Sequence, residues 1–263
     1  MKISTYNVNS INARLENLSL WLKAESPDIV LLQEIKTEFN AFPFFELAAL
    51  GYEAKILGQK SYNGVAILSR HKIKVVAEGL PGFDDENSRY LEAIINVNET
   101  PFRVASIYLP NGNPPYNNPD DTSKFTYKLN FMDALYHHAK NLLLSDEKII
   151  LGGDFNVIMS NNDVYDPKSF LGNALFKPEV QERLRAIEYL GFYDAYRMLY
   201  PNNIAYTYWD YAGGAFQNDQ GLRIDYLFLS PSVADCLQSI IVDKNPRRGI
   251  KPSDHTPLTA ELR

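Results

Sequence analysis

The apolar residues of this chain come in short runs, and nearly every run is closed by a polar side chain. The runs are "KISTYNV" (2–8), "DIVLLQE" (28–34), "GVAILS" (64–69), "YLEAIINV" (90–97), "FRVASIYL" (102–109), "KIILGGDF" (148–155), "RIDYLFLS" (223–230), "SIIVD" (239–243) and a tail from Thr256. Most are four to eight residues long, rich in Val, Ile, Tyr and Phe, and bounded by Gly, Pro, Asn or Asp, which predicts strands. Only three segments carry a clear helical period. They are Ile11, Leu15, Leu18 and Leu22 before Pro27; Phe125, Leu129, Met132, Leu135 and Leu142; and Val180, Leu184, Ile187 and Leu190 between Pro178 and Gly191. A fourth, weaker pattern covers Phe44 to Leu50. So few helices cannot alternate with every strand, so many strands must be antiparallel neighbours. Two mixed sheets packed face to face with helices outside satisfy that count. No linker, repeat or low-complexity tract divides the chain, which predicts one domain over 1–263.

Composition narrows the class. Of 263 residues, 45% are hydrophobic and 22% charged, enough to build a large core. Cys236 is the single cysteine, so no intramolecular disulfide can form, and a reducing cytoplasm is the expected setting. The start, "MKISTYNVNS", has a strand pattern rather than an apolar leader, and no run approaches the ~18 apolar residues of a membrane helix. The expectation is a soluble, monomeric, cytoplasmic protein without membrane partners. The net charge of −6 argues against non-specific coating of nucleic acid. A basic rim beside a carboxylate-rich site would still allow a local grip.

The informative residues stand where the runs stop. Asn7 and Asn9 follow the first strand, Gln33 and Glu34 end the second run, and Tyr108 and Asn111 lie at the end of another. Asp154 and Asn156 close "IILGGDFN", Asp225 interrupts "RIDYLFL", and Asp254 and His255 precede the last strand. Gathered on one sheet edge, they make a pocket of carboxylates, amides, a phenol and an imidazole. Clustered carboxylates repel one another unless a cation sits among them. Oxygen ligands without thiolates favour a hard ion such as Mg²⁺, with Mn²⁺ as the alternative. Such an ion beside His, Asn and Tyr donors suits phosphoryl transfer. Taken singly, each residue has an ordinary reading: Asn7 and Asn9 as turn or cap formers, Glu34 as a solvated strand end, Asp154 as a turn residue after two glycines. Asp225 is harder to dismiss, because a carboxylate inside an apolar run needs a buried partner.

The segments "STYNVNSINAR", "PDIVLLQEIK", "YNGVAILS", "YLPNG", "GGDFN", "GLRIDYLFLS" and "KPSDHTPL", in that order, resemble the exonuclease III family of DNA-repair nucleases. That family lies within the endonuclease/exonuclease/phosphatase superfamily. The resemblance spans almost the whole chain and implies a four-layer α/β sandwich with one active site at the sheet edge. It implies Glu34 as the main metal-binding carboxylate with Asn7 beside it, and Asp154, Asn156, Asp254 and His255 as further metal-ligand candidates. It implies Asp154 as the residue serving water or the leaving group, Asn156 and Tyr108 on the phosphate, and His255 on a phosphate oxygen with Asp225 behind it. Asn9, Asn111, Tyr208, Trp209, Leu222 and Arg223 are the candidates for DNA and an apolar abasic-sugar pocket, although Trp209 would serve equally as core. Arg89, Lys124, Arg247, Arg248 and Lys251 complete the candidate DNA-backbone contacts.

The implied substrate is double-stranded DNA, especially abasic or 3′-blocked, cut 5′ to abasic sites or trimmed from 3′ ends. Two departures stand out. Ser10 occupies a position where the family usually has Gly, and the 161–179 stretch is acidic and Asn-rich where many relatives are basic. The second departure, with the net charge, supports the competing reading of a phosphodiesterase for a small phosphorylated molecule or lipid headgroup. A DNA-binding scaffold with a dead site is the non-enzymatic alternative, and the intact polar set speaks against it.

Overall fold

The computed structural model describes residues 1–263. In chain order its elements are β1 (Lys2–Asn7), α1 (Leu15–Glu25), β2 (Ile29–Gln33), α2 (Phe44–Ala48), β3 (Glu53–Leu57), β4 (Val65–Ser69), β5 (Ile73–Glu78), β6 (Tyr90–Val97) and β7 (Thr100–Tyr108). They continue with α3 (Ser123–Leu142), β8 (Lys148–Asp154), α4 (Pro178–Tyr189), β9 (Tyr193–Asp194), α5 (Ala195–Leu199), β10 (Asp225–Leu229), α6 (Pro231–Ala234), β11 (Leu237–Val242) and β12 (Leu258–Leu262).

Two six-stranded sheets form, in the orders β11-β12-β1-β2-β4-β3 and β5-β6-β7-β8-β10-β9. Each holds one parallel pair, β1 with β2 and β7 with β8, among antiparallel neighbours. A parallel pair needs a crossover, and two of the three helical periods supply it: α1 joins β1 to β2, and α3 joins β7 to β8. Alternate residues along β2 serve different cores. Ile29 and Leu31 enter the layer between the sheets, while Val30 and Leu32 meet Leu18, Trp21 and Leu22 of α1. On the far side Phe131, Leu135 and Leu184 of α3 and α4 cover β7, β8 and β10. Strands buried on both faces have no polar alternation to display, which is why the central runs are almost continuously apolar. The four-layer sandwich expected from the sequence is therefore the observed fold.

The boundaries shift for local reasons. Ile11 lies outside α1, because its N–H bonds to Ile35 O and extends the β1–β2 pairing. Ser26 closes α1 in the left-handed region at φ 48°, and Pro27 prevents continuation. Pro178 opens α4 at the first helical turn. Thr256 precedes the last strand, which begins at Leu258 after Pro257. The strands that the sequence did not announce, β3, β5 and β9, all lie at sheet edges, where charged and half-exposed residues interrupt the apolar pattern.

This topology aims its polar strand ends at one place. Asn7 pairs in register with Gln33, Tyr108 with Asp154, and Asp154 with Asp225. The glycine before that convergence matters. A Cβ on Gly152 would lie 2.6 Å from both Leu31 Cδ1 of the facing sheet and Leu227 Cδ2, so a larger residue would have to displace these two core leucines.

Candidate active site

Asn7 links the two sheets at their shared edge. Its Nδ2 donates to Glu34 Oε1 at 2.8 Å and to Asp154 Oδ2 at 2.9 Å. His255 completes the cluster: one ligand atom each from Glu34, Asp154 and His255 lie within 4.8 Å of one another. The imidazole is held from behind, with Nδ1 2.8 Å from Asp225 Oδ2, while Nε2 lies 3.6 Å from Asp154 Oδ2. The Tyr208 ring packs edge-on against it at 5.0 Å. Asp154 Oδ1 accepts from the Asn156 N–H at 2.9 Å, and the Asn156 amide donates to Leu109 O at 2.9 Å and accepts from Asn111 at 3.3 Å.

The backbone is constrained here. Glu34 and Asn156 sit in the left-handed region at φ 50° and 49°. For Glu34 that conformation is uncommon and persists because neighbouring bonds fix it; Ser10 N–H, for one, donates to Glu34 O at 2.7 Å. Ser10 itself stands at φ 83°, the region that favours glycine, which accounts for the family's usual Gly there and marks Ser10 as locally strained.

Electrostatics separate the groups. Burial works against a charge on His255, but the Asp225 and then Asp154 carboxylates lift its pKa to about 10. Burial raises the Asp154 carboxyl; His255 opposes, and the charges of Asp225 and Glu34 add to the rise. Glu34 also pays for burial, yet the Lys36 ammonium and the Asn7 amide hold it below the usual carboxylate range. Burial, then Glu34 and Asp154, push the Tyr108 phenol well up, so it remains a donor at neutral pH.

These groups line a cleft of about 600 Å³ with two chemical halves. Glu34, Tyr108, Asn111, Asp154, Asn156, Asp254 and His255 make the polar half. Tyr165, Phe170, Leu175, Tyr208, Leu222 and Ile224 make the apolar half. The donor set fits a hard divalent ion. Two carboxylates and Asn7 converge, and the buried Asp154 charge is unfavourable without a cation. Glu34 and Asp154, with Asn7 beside them, would hold it.

Several sequence expectations need correction. Arg223 cannot touch DNA: it is fully buried, with Nε 2.5 Å from Asp163 Oδ1 and Nη1 2.7 Å from Asp194 Oδ2. Trp209 is core, sealed beside Tyr206 and Phe216, with Nε1 donating to Asp219. Arg247 is buried against Tyr211 and Phe216 and donates to Trp209 O. Asn9 is half-exposed and does not line the cleft; it donates to Asp254 Oδ1 at 3.0 Å and accepts from Lys36 Nζ at 2.6 Å. Asp254 borders the cleft but lies outside the three-residue cluster. The acidity of 161–179 is also misleading. Asp163 is buried between Arg223 and Arg197, which leaves Asp166 and Glu179 against Lys168 and Lys177.

Other residues of the site were missed. Lys36 bridges Glu34 at 2.7 Å and Asn9, and its only signal was its place two residues after Glu34. Ile224 was detectable from strand period, two positions from Leu222. Tyr165 and Phe170 had no signal, because they lie in a stretch notable only for charge.

Comparison with known proteins agrees with this fold. Residues 4–255 match the model of the endonuclease/exonuclease/phosphatase family. Exodeoxyribonuclease III of Haemophilus influenzae is 30% identical, with 100% of both chains covered. The structure of an AP endonuclease from Archaeoglobus fulgidus superposes with a TM-score of 0.90 at 33% identity, covering 100% of this chain and 99% of that one. The 3′ phosphatase NExo from Neisseria, bound to a product DNA hairpin, gives 0.92 at 35% identity with the same coverage.

Proposed function

Because the chain belongs to the endonuclease/exonuclease/phosphatase family, we propose that its two-sheet cleft hydrolyses DNA phosphodiesters in repair, in the manner of exonuclease III. The enzyme is a phosphodiester hydrolase of a metal-dependent family, and DNA is its substrate. Mg²⁺ is the proposed ion. Incision 5′ to an abasic site, with trimming of 3′ ends, is the proposed specificity.

One observation carries this reading: an imidazole backed by a buried carboxylate stands in the same cleft as two more carboxylates, Glu34 and Asp154. When bound, the ion neutralises charge developing on the phosphate oxygens. The protein supplies the remainder. Protonated His255, with Nδ1 committed to Asp225, presents Nε2–H to a non-bridging phosphate oxygen. For that reason it is assigned to phosphate rather than metal, since a protonated ring nitrogen offers no lone pair. The Tyr108 hydroxyl and the free N–H of Asn156 donate to the same phosphate. Asp154 takes the proton of the attacking water, or returns one to the departing 3′ oxygen. The apolar half, with Tyr208, Leu222 and Ile224, receives a sugar without a base, whose extrusion costs less than that of a paired nucleotide.

The small-molecule alternative loses one of its two supports, the acidity of 161–179, once Asp163 is counted as internal. The test is a labelled duplex with one abasic site, incubated with Mg²⁺ or with EDTA. Mg²⁺-dependent incision or 3′ trimming supports the proposal, and the absence of both refutes it.

A further inference from the structure

We propose that Lys128 is a positioning residue for this cleft: its ammonium, sealed beneath the site, gathers three loops and so sets Asn156, Asn111 and the Ala174–Leu175 wall. The inference deepens the proposed phosphodiesterase reading and rests on it for what those loops do.

Lysine is rarely fully buried without a carboxylate partner, yet Lys128 is 0% exposed on the core face of α3, beside Phe131 and Met132. Burial pushes the amine's pKa down to about 7, but its three acceptors match the ammonium form, in which all three donors are used and each goes to a backbone carbonyl of a different loop. Nζ lies 3.0 Å from Asn111 O, 2.6 Å from Asn156 O and 3.1 Å from Ala174 O. The first loop follows β7, the second follows β8, and the third precedes α4. Each carries cleft-lining side chains: Asn111, Asn156 and Leu175.

The three loops are also stitched to one another around the ammonium. Asn111 Nδ2 donates to Asn156 Oδ1, Asn113 Nδ2 donates to Asn111 Oδ1, and Ala174 N–H donates to Asn113 Oδ1. Asn156 is held at φ 49°, a conformation that its neighbours must enforce. Gly112 provides room for the lysine stem. At φ 83° it carries no Cβ, and one placed there would meet Lys128 Cδ at 2.6 Å.

The experiment compares wild type, Lys128→Met and Gly112→Ala by hydrogen–deuterium exchange and by turnover of the abasic duplex. Lys128→Met removes the donor shared by the buried Asn156 and Ala174 carbonyls and the part-buried Asn111 carbonyl, so exchange should rise together in 109–113, 155–158 and 173–176 while the sheets stay protected. kcat should fall about 100-fold with KM nearly unchanged, as for a reacting group displaced by about 1 Å. In an Asn156→Ala background the same substitution should lower kcat by less than about 3-fold, because the Asn156 amide is the loop group that touches the reacting phosphate and carries most of the effect on kcat. Gly112→Ala keeps the ammonium but displaces its stem, and should loosen the same three segments. Unchanged exchange in the three loops, fully additive kinetic losses, or global unfolding of both variants would overturn the proposal. The exchange result is independent of substrate, so an inactive wild type would refute the functional reading without deciding this one.

Discussion

His255 Nδ1 and Asp225 Oδ2 lie 2.8 Å apart, and both side chains are closed to solvent. Asp225 has no other side-chain partner, and its Oδ1 makes no hydrogen bond at all. The pair fixes the ring so that Nε2 faces Asp154 and the cleft.

Asp225→Asn removes the charge that does most to lift the His255 pKa. The imidazole should then lose its proton at lower pH, and the alkaline limb of the kcat profile should move to lower pH. Stability has its own sign. A folded pKa of about 10, above the ordinary 6.5, stabilises fully below about 6.5, and that contribution disappears as pH rises through 10. The variant should therefore lose less stability than wild type between pH 7 and 10. Urea denaturation across that range, together with the pH–rate profile, measures both effects.

Glu34→Gln keeps the shape of the side chain and deletes one of the two carboxylates placed for the ion. The Mg²⁺ concentration giving half-maximal rate should rise by about 100-fold, with the fold unchanged by circular dichroism. A normal Mg²⁺ requirement would mean that Glu34 does not hold the ion.

Arg223→Met leaves the buried Asp194 Oδ2 without its cation and Asp163 with Arg197 alone. Unfolding free energy should fall by about 3–5 kcal/mol in urea titrations, as expected when one partner of a buried ion pair is lost. The salt dependence of DNA binding should not change, whereas loss of a phosphate contact would flatten its log–log slope by about 0.9.

Tyr208→Ala opens the apolar half of the cleft and removes the ring packed against His255. Abasic incision should fall about tenfold more than 3′ trimming, near the upper range for one aromatic contact. Equal losses on the two substrates would assign Tyr208 to holding His255 alone.

The four-layer fold was legible because central strands buried on both faces leave long apolar runs, and because two helical periods sit where parallel pairs need crossovers. The edge strands β3, β5 and β9 were not, since half-exposed edges blur the pattern. Asp225 was legible because nothing in an apolar run explains a carboxylate. Arg223 was misread for the complementary reason: a charge beside a functional residue looks functional until its buried partners, Asp163 and Asp194, are seen. Those partners lie 60 and 29 residues away, beyond any local signal. Trp209, equally open to core and pocket in the sequence, proved to be core: it is adjacent to Tyr208 but buried away from the cleft.

The most direct measurement is single-turnover incision of a duplex carrying one abasic site, in Mg²⁺, by wild type, Asp154→Asn and His255→Ala. Wild type should incise, EDTA should abolish the reaction, and each variant should slow it by about 10²–10⁴-fold while unfolding cooperatively like wild type. Near-normal rates in either folded variant, or wild-type incision that survives EDTA, would contradict the assignment of these strand ends to one metal-dependent phosphodiester site.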